Sequence, residues 1–505
     1  MSTIATNIKT NFKRTKIVAT LGPAITQKIF DWKAFNDPKN AESVKLAYER
    51  MEEIIRKGVN CVRLNFSHGN HEEQEIRIKI VREVAAKLNR NIAIMLDTKG
   101  PEIRVNKFEP EMVEIKAGNV ITIHTISKII GSDTEFSVTD STGTYNMAKD
   151  VKKGQLVLVD DGKLELFVDE VDVDKGVLKT VALNTHKIIE GRRINLPGSN
   201  YTMPFLSDKD KKDIKFACDN NLDYIAASFV NSKENVQAIR EILIAHNHPQ
   251  IQIISKIETG KAIENLQEII TASDGIMVAR GDLGLEIPYY DLPYWQKQMI
   301  RLCRYVGKPC IVATQMLDSL ERNIQPTRAE VTDVFFAVER GCDATMLSGE
   351  SAKGQFPVVA VDTMARIDQQ SELLFDYDRA INVYFPNTKF PSYASKIALK
   401  IAKRLMPTGG HVTPNFNHNF FALFTDDKTL IKAVSNIRPA ATIIVITSEK
   451  ELLNAFAINY GIQTYYVKDL NQAKLDYKNV IAKAVEPFGI KDQHIIAFFD
   501  KKFHE

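Results

Sequence analysis

Lys256 and Glu258 close the apolar run IISKIETG at residues 253–260, and Asp282 follows a second such run in GIMVARGDLG. Two carboxylates delivered from neighbouring strand ends can hold a hard divalent cation and leave positions open for substrate, which is Mg²⁺-like behaviour. A lysine beside them, with Arg63 in RLNFSHG, supplies the positive charge that a phosphoryl group requires during transfer. Ala279, Arg280 and Gly281 precede Asp282, and glycines here let backbone N–H groups approach an anion with no Cβ in the way. The competing reading of Lys256 and Glu258 is a structural ion pair, and that of Arg63 is a rim salt bridge. Asn65, Ser67, Asp97 and Thr98 form an all-oxygen cluster with one formal charge, better suited to a monovalent cation than to a transition metal. On spacing alone, capping is the simpler explanation of those four.

These residues need elements that bring them together. Eight short apolar runs recur: KIVAT (16–20), CVRLNF (61–66), IAIMLD (92–97), YIAASF (224–229), IQIISK (251–256), GIMVA (275–279), CIVAT (310–314) and ATMLS (344–348). Between them lie amphipathic stretches such as 71–88 and 232–246, and PTRAE (326–330) carries a helix-starting capping box with Thr327 and Glu330. Alternation of this kind predicts an α/β fold, a (β/α)₈ TIM barrel whose C-terminal strand ends form one mouth. Each predicted strand end carries a polar group, Thr314 and Ser348 included, so the eight ends converge as a site.

The rhythm breaks between the third and fourth runs. Residues 101–197 alternate like short strands joined by glycine turns, which predicts a small β-barrel lid inserted into a barrel formed by 1–100 and 198–370. From 371 to 505 a fresh helix and strand pattern, with YASKIALKIAKRL (393–405), FFALFT (420–425) and TIIVIT (442–447), predicts a C-terminal α/β domain for regulation or oligomerisation.

With 66 basic against 63 acidic residues the formal net charge is only +3, so no nucleic-acid surface is expected. The 5 cysteines have no CxxC spacing and are expected to be reduced and buried. The start lacks the apolar centre of a signal peptide, and no run approaches the roughly 20 apolar residues that span a bilayer, so a cytoplasmic protein without membrane contact is expected.

In order along the chain, TKIVATLGPA, RLNFSHG, DTKGPEIR, NLPG, IISKIETGKAIEN, GIMVARGDLG, ATQMLDSL and PTRAEVTDVFFAVERGCDATMLSGESAKGQFP resemble the pyruvate kinase family over nearly the whole length. The resemblance implies phosphoryl transfer from phosphoenolpyruvate to ADP, giving pyruvate and ATP. It implies Glu258 and Asp282 as ligands of Mg²⁺ (or Mn²⁺), Lys256 beside the transferred phosphoryl and enolate oxygen, and Arg63 as the phosphate-binding arginine. Thr314 matches the place that binds substrate carboxylate or positions a proton-delivering water, with Ser348 extending that relay, and the backbone of Ala279 to Asp282 meets the carboxylate. Asn65, Ser67, Asp97 and Thr98 resemble a K⁺ site, and Glu102 in GPEIR resembles the K⁺-dependent members. Pro23, His68, Arg104 and Lys353 match positions near ADP, and a homotetramer is the family's usual assembly.

The chain also departs from the family. ITQKIFDWKAFNDPKNAES adds residues after LGPA that either reshape the nucleotide-side rim or, as the simpler reading has it, decorate the surface, and Glu73 stands where many relatives have an aromatic residue near the nucleotide. Arg193 replaces a common glycine in GRRINLPG, with Arg192 expected to do the work of a nucleotide-binding lysine. TDDKTL (425–430) replaces the loop that grips an activating sugar phosphate, so fructose 1,6-bisphosphate activation is expected to be weak or absent. The alternatives are another Mg²⁺-dependent barrel enzyme handling an enolate, of the phosphoenolpyruvate mutase or pyruvate aldolase type, or an inactive relative that serves as a binding protein.

Overall fold

Eight strands close a parallel barrel in sequence order: β1 (Lys16–Thr20), β2 (Cys61–Asn65), β3 (Ala93–Asp97), β4 (Tyr224–Ala227), β5 (Gln252–Ile257), β6 (Gly275–Ala279), β7 (Cys310–Ala313) and β8 (Ala344–Leu347). The computed structural model describes residues 13–140, 142–199, 201–406, 420–490 and 495–505.

Strand periodicity explains why the polar residues collect at one end. Side chains two apart on a strand share a face. Val18, Cys61, Met95, Ala226, Ile254, Met277, Ile311 and Met346 pack together inside the barrel. Two residues further along each strand stand Thr20, Arg63, Asp97, Ser228, Lys256, Ala279, Ala313 and Ser348, all brought to the mouth by that same alternation. The intervening residues, such as Ile17, Val62, Ile253 and Ile257, face the surrounding helices in a separate apolar cluster. The helices start as their sequences require. Asn70 caps His71–Lys87 by accepting the Glu73 N–H at 2.9 Å, and the Thr327–Glu330 capping box opens Arg328–Glu339.

Between β3 and β4 the chain forms a second closed barrel with its own apolar core. Its strands Ile103–Val105 and Arg193–Asn195 pair antiparallel, with Arg193 opposite Arg104. These paired segments lie where the chain leaves and re-enters the larger barrel, so residues on them overlook its mouth. Beyond the larger barrel, a sheet of 5 strands runs in the order Ile462–Tyr466, Thr442–Thr447, Phe420–Phe424, Ile496–Phe499 and Lys502–His504, the last antiparallel. The 5 cysteines are free and buried. No helix among the described residues is long and apolar enough to cross a membrane.

Glu372, at the end of helix Pro357–Leu373, ties the lead-in to β1. One carboxylate oxygen accepts the Arg14 and Thr15 N–H groups at 2.8 and 2.7 Å, and the other takes the Arg14 guanidinium at 3.0 Å, with both side chains buried. Removing one partner of such a buried pair costs about 3–5 kcal/mol. Glu372→Ala is therefore expected to lower the midpoint of thermal inactivation sharply, while Glu49→Ala, at the exposed Lys45–Glu49 pair, leaves it unchanged.

Candidate active site

The Asp97 carboxylate lies between two cations. Its Oδ2 is 2.6 Å from Arg63 Nε and its Oδ1 is 3.0 Å from Lys256 Nζ, and only 1% of the residue is exposed. Arg63 donates also to Thr20 Oγ1 at 3.0 Å, and Lys256 to Ser228 Oγ at 2.8 Å. Ser228 in turn donates to the Thr98 carbonyl at 2.7 Å. Burial alone would discharge an ammonium, but Asp97 and Glu258 outweigh it and hold the Lys256 pKa above its ordinary value.

Lys256 and Glu258 are also each other's partner, 2.9 Å apart. The expected division, with lysine on the anion and glutamate on the metal, therefore starts from a formed ion pair. Glu258 accepts the Phe229 N–H at 2.7 Å through its other oxygen. Burial pushes the Glu258 carboxyl up and Asp282 adds to the shift, while Lys256 opposes it. A buried carboxyl beside a second carboxylate makes a place where a cation is favoured. No group of three or more His, Cys, Asp or Glu residues is placed for a metal among the described residues. A pair of carboxylates with no nitrogen or sulfur ligand fits a hard ion that completes its shell with water and substrate oxygen.

Asp282 contacts Arg193, which reaches down from the inserted domain and also lies 3.9 Å from Glu102. Arg193 thus brings a charge of the inserted domain into the mouth. Arg192, expected to serve the nucleotide, pairs with Asp160 at 3.2 Å within that domain. Arg104 likewise stays on Glu102, at 2.7 Å, and on the Gly191 carbonyl, at 2.8 Å.

The backbone of Ala279 to Asp282 passes directly from β6 into helix Arg280–Glu286. The Gly281 N–H donates to Thr314 Oγ1 at 2.7 Å, and that hydroxyl donates to the Ala313 carbonyl at 2.6 Å. The Arg280 guanidinium is turned towards the loop after β7, donating to the Thr314 carbonyl at 2.8 Å and pairing with Asp333 at 2.7 Å. Only its backbone is left for a substrate; the side chain braces the loop. Bracing is needed because Thr314 and Gln315 hold φ of 66° and 52°, a left-handed conformation that costs a β-branched residue of order 1–3 kcal/mol. Ser348 Oγ is buried without a hydrogen-bond partner, while its N–H donates to Glu350 Oε2 at 2.7 Å.

A cavity of about 890 Å³ opens beside this cluster, lined by Arg63, Asn65, Thr314 and Ser348 together with Pro23, His68 and Lys353. Arg104 and Arg192 do not line it. The His68 pKa is lowered by burial and then by Arg104, so its imidazole favours the neutral form. Phe30, from the stretch expected to be surface decoration, lines the same cavity, as does Glu73. Of the K⁺ candidates, Asn65 and Asp97 are register partners on β2 and β3, Asn65 Oδ1 accepts the Ser67 N–H at 3.0 Å, and Thr98 Oγ1 accepts the Ser228 N–H at 3.0 Å. The four residues are neighbours, with the Asp97 oxygens engaged by Arg63 and Lys256.

The family model described as the pyruvate kinase barrel domain matches residues 12–361. The chain is 48% identical over 482 residues to the pyruvate kinase of Mycoplasma pneumoniae, covering 95% of each, and 49% identical over 465 residues to that of Mycoplasma genitalium, covering 92% of each. A pyruvate kinase from Cryptosporidium parvum of known structure superposes with a TM-score of 0.84 at 34% identity, over 99% of this chain and 97% of that one. Fold and site together define a phosphotransferase built on a (β/α)₈ barrel. The chain belongs to the pyruvate kinase family, which depends on a divalent metal, and its activity is the glycolytic one of that family.

Asp97, Ser228 and Glu258 hold Lys256 as a preorganised donor, and removing one such donor from a site where charge develops costs about 10²–10³-fold in turnover. Lys256→Met is expected to lose at least that much kcat with phosphoenolpyruvate and ADP, measured by steady-state kinetics, while the KM for phosphoenolpyruvate changes far less. Near-normal turnover would show that Lys256 serves only its ion pairs.

Proposed function

We propose that the barrel mouth transfers the phosphoryl group of phosphoenolpyruvate to ADP with the residue roles that follow. The reading is supported by the three-way clamp of Asp97, Ser228 and Glu258 on Lys256, which fixes an ammonium at the barrel mouth. Arg63, steadied by Asp97 and Thr20, binds the phosphoryl group. The backbone of Ala279, Arg280, Gly281 and Asp282 receives the substrate carboxylate. Thr314 and Ser348 line one cavity and handle the proton that converts enolate to pyruvate; the unpartnered Ser348 hydroxyl has hydrogen-bonding capacity to spare for that task.

Glu258 and Asp282 would hold Mg²⁺ (or Mn²⁺), and Asn65, Ser67, Asp97 and Thr98 a K⁺ ion. When bound, these cations neutralise charge on the phosphoryl oxygens. Pro23, His68 and Lys353 serve the nucleotide, with Arg104 and Arg192 at the lid above. The division into a barrel of 1–100 and 198–370, a lid of 101–197 and a C-terminal domain from 371, a homotetrameric assembly and a cytoplasmic location belong to the same reading.

A lactate dehydrogenase-coupled assay with phosphoenolpyruvate, ADP and Mg²⁺ tests reaction and cations together. Replacing K⁺ by tetramethylammonium is expected to slow turnover about tenfold or more, equivalent to about 1.4 kcal/mol on the barrier. A rate indifferent to K⁺ would remove the monovalent site from the scheme.

In the C-terminal domain, Asp427 caps helix Lys428–Asn436 by accepting the Thr429 and Leu430 N–H groups at 2.8 and 3.1 Å. Asp426 accepts from Thr447 Oγ1 at 2.6 Å and from the Ser448 N–H at 2.8 Å. Both carboxylates occupy the donors that a phosphate would use and repel it as well. Fructose 1,6-bisphosphate is therefore expected to leave the half-saturating phosphoenolpyruvate concentration unchanged; a severalfold fall would contradict the proposal.

A further inference from the structure

Resting on the phosphoryl-transfer reading, we propose that Phe30 is the stacking platform for the base of the nucleotide substrate. The cavity beside the mouth has a mixed lining. Arg63, His68 and Lys353 offer charge or donors to a diphosphate, although Glu321, 3.2 Å from Lys353, and three further carboxylates line it as well, and Pro23 and Phe30 offer apolar surface to the base. Phe30 is the one phenyl ring among the described residues lining that cavity, and 46% of it is exposed. The exposed part of the ring is surface that a stacked base would remove from water.

The chain on either side of the ring is anchored. Ile29 before it is buried at 4% exposure, and Asp31 after it caps helix Trp32–Asn36 by accepting the Ala34 N–H at 2.6 Å. Trp32 then donates to Glu75 at 3.2 Å, fastening the segment to helix His71–Lys87. Glu73, on the same helix and lining the same cavity, does not compete for the base: it is buried and paired with Arg77. The extra stretch thus supplies the flat apolar surface that the cavity wall otherwise lacks.

Stacking on one aromatic ring tolerates different bases and is lost on truncation to alanine. In the coupled assay, Phe30→Ala is expected to raise the KM for ADP about five- to twentyfold, with kcat and the KM for phosphoenolpyruvate unchanged, and Phe30→Trp to restore the ADP value. Calorimetric titration with ADP should show the same weakening. An active Phe30→Ala enzyme with an unaltered KM for ADP would overturn the proposal. So would a rise in both KM values that tryptophan does not rescue, which marks a structural role. Wild-type protein inactive with phosphoenolpyruvate and ADP would instead defeat the underlying functional reading.

Discussion

One buried carboxylate sets the terms for the rest of the mouth. Asp97 holds Arg63 and Lys256 at once, and its own solvation has been given up to do so. Ions taken out of water are tolerated only with close partners and satisfied lone pairs. Thr20, Ser228, Glu258 and the Phe229 N–H complete that requirement, so strands β1 to β5 each contribute to one network. The positive charge facing the cavity is consequently fixed in position before any substrate arrives, which is the condition under which electrostatic stabilisation costs no reorganisation.

The opposite side of the mouth is organised by backbone shape. The turn after β7 runs through two consecutive left-handed residues, and the Arg280 guanidinium gathers the Ala313, Thr314 and Gln315 carbonyls that this turn would otherwise leave exposed. Thr314 then faces Gly281 with its hydroxyl already oriented. An arginine in a motif beside a substrate site is easily taken for a ligand. Here its charge works in the wall.

The barrel was legible because each strand is a short apolar run with a polar residue at or just past its end, and because the two-residue period assigns Lys256 to the face of Ile254 and Asp97 to that of Met95. The acidic pair, the lysine and the arginine were found by the same route, and the long motifs identified the family. What periodicity cannot supply is distance between strand ends, so the pairing of Lys256 with both Asp97 and Glu258 was not visible. Arg192 and Arg193 are adjacent, and on extended chain adjacent side chains point to opposite faces; only the register with Arg104 decides which enters the mouth. Phe30 escaped notice because the path of an added segment depends on tertiary anchors such as Trp32 on Glu75. Ser228 was legible as a mouth residue because it stands two residues beyond an inward-facing alanine on β4, but its contact with Lys256 was not.

The contact between Arg193 and Asp282 joins the inserted domain to an acidic residue of the large barrel. The Arg193 guanidinium has the same sign of charge as the cation proposed for Asp282 and sits on one of its oxygens, so the two oppose each other at that carboxylate. Linkage of this kind is reciprocal: whatever strengthens the lid contact weakens the cation's hold by the same factor, and the converse. The inserted domain thus reaches the acidic pair itself through one guanidinium, and the charge at the barrel mouth depends on a residue that the barrel does not supply.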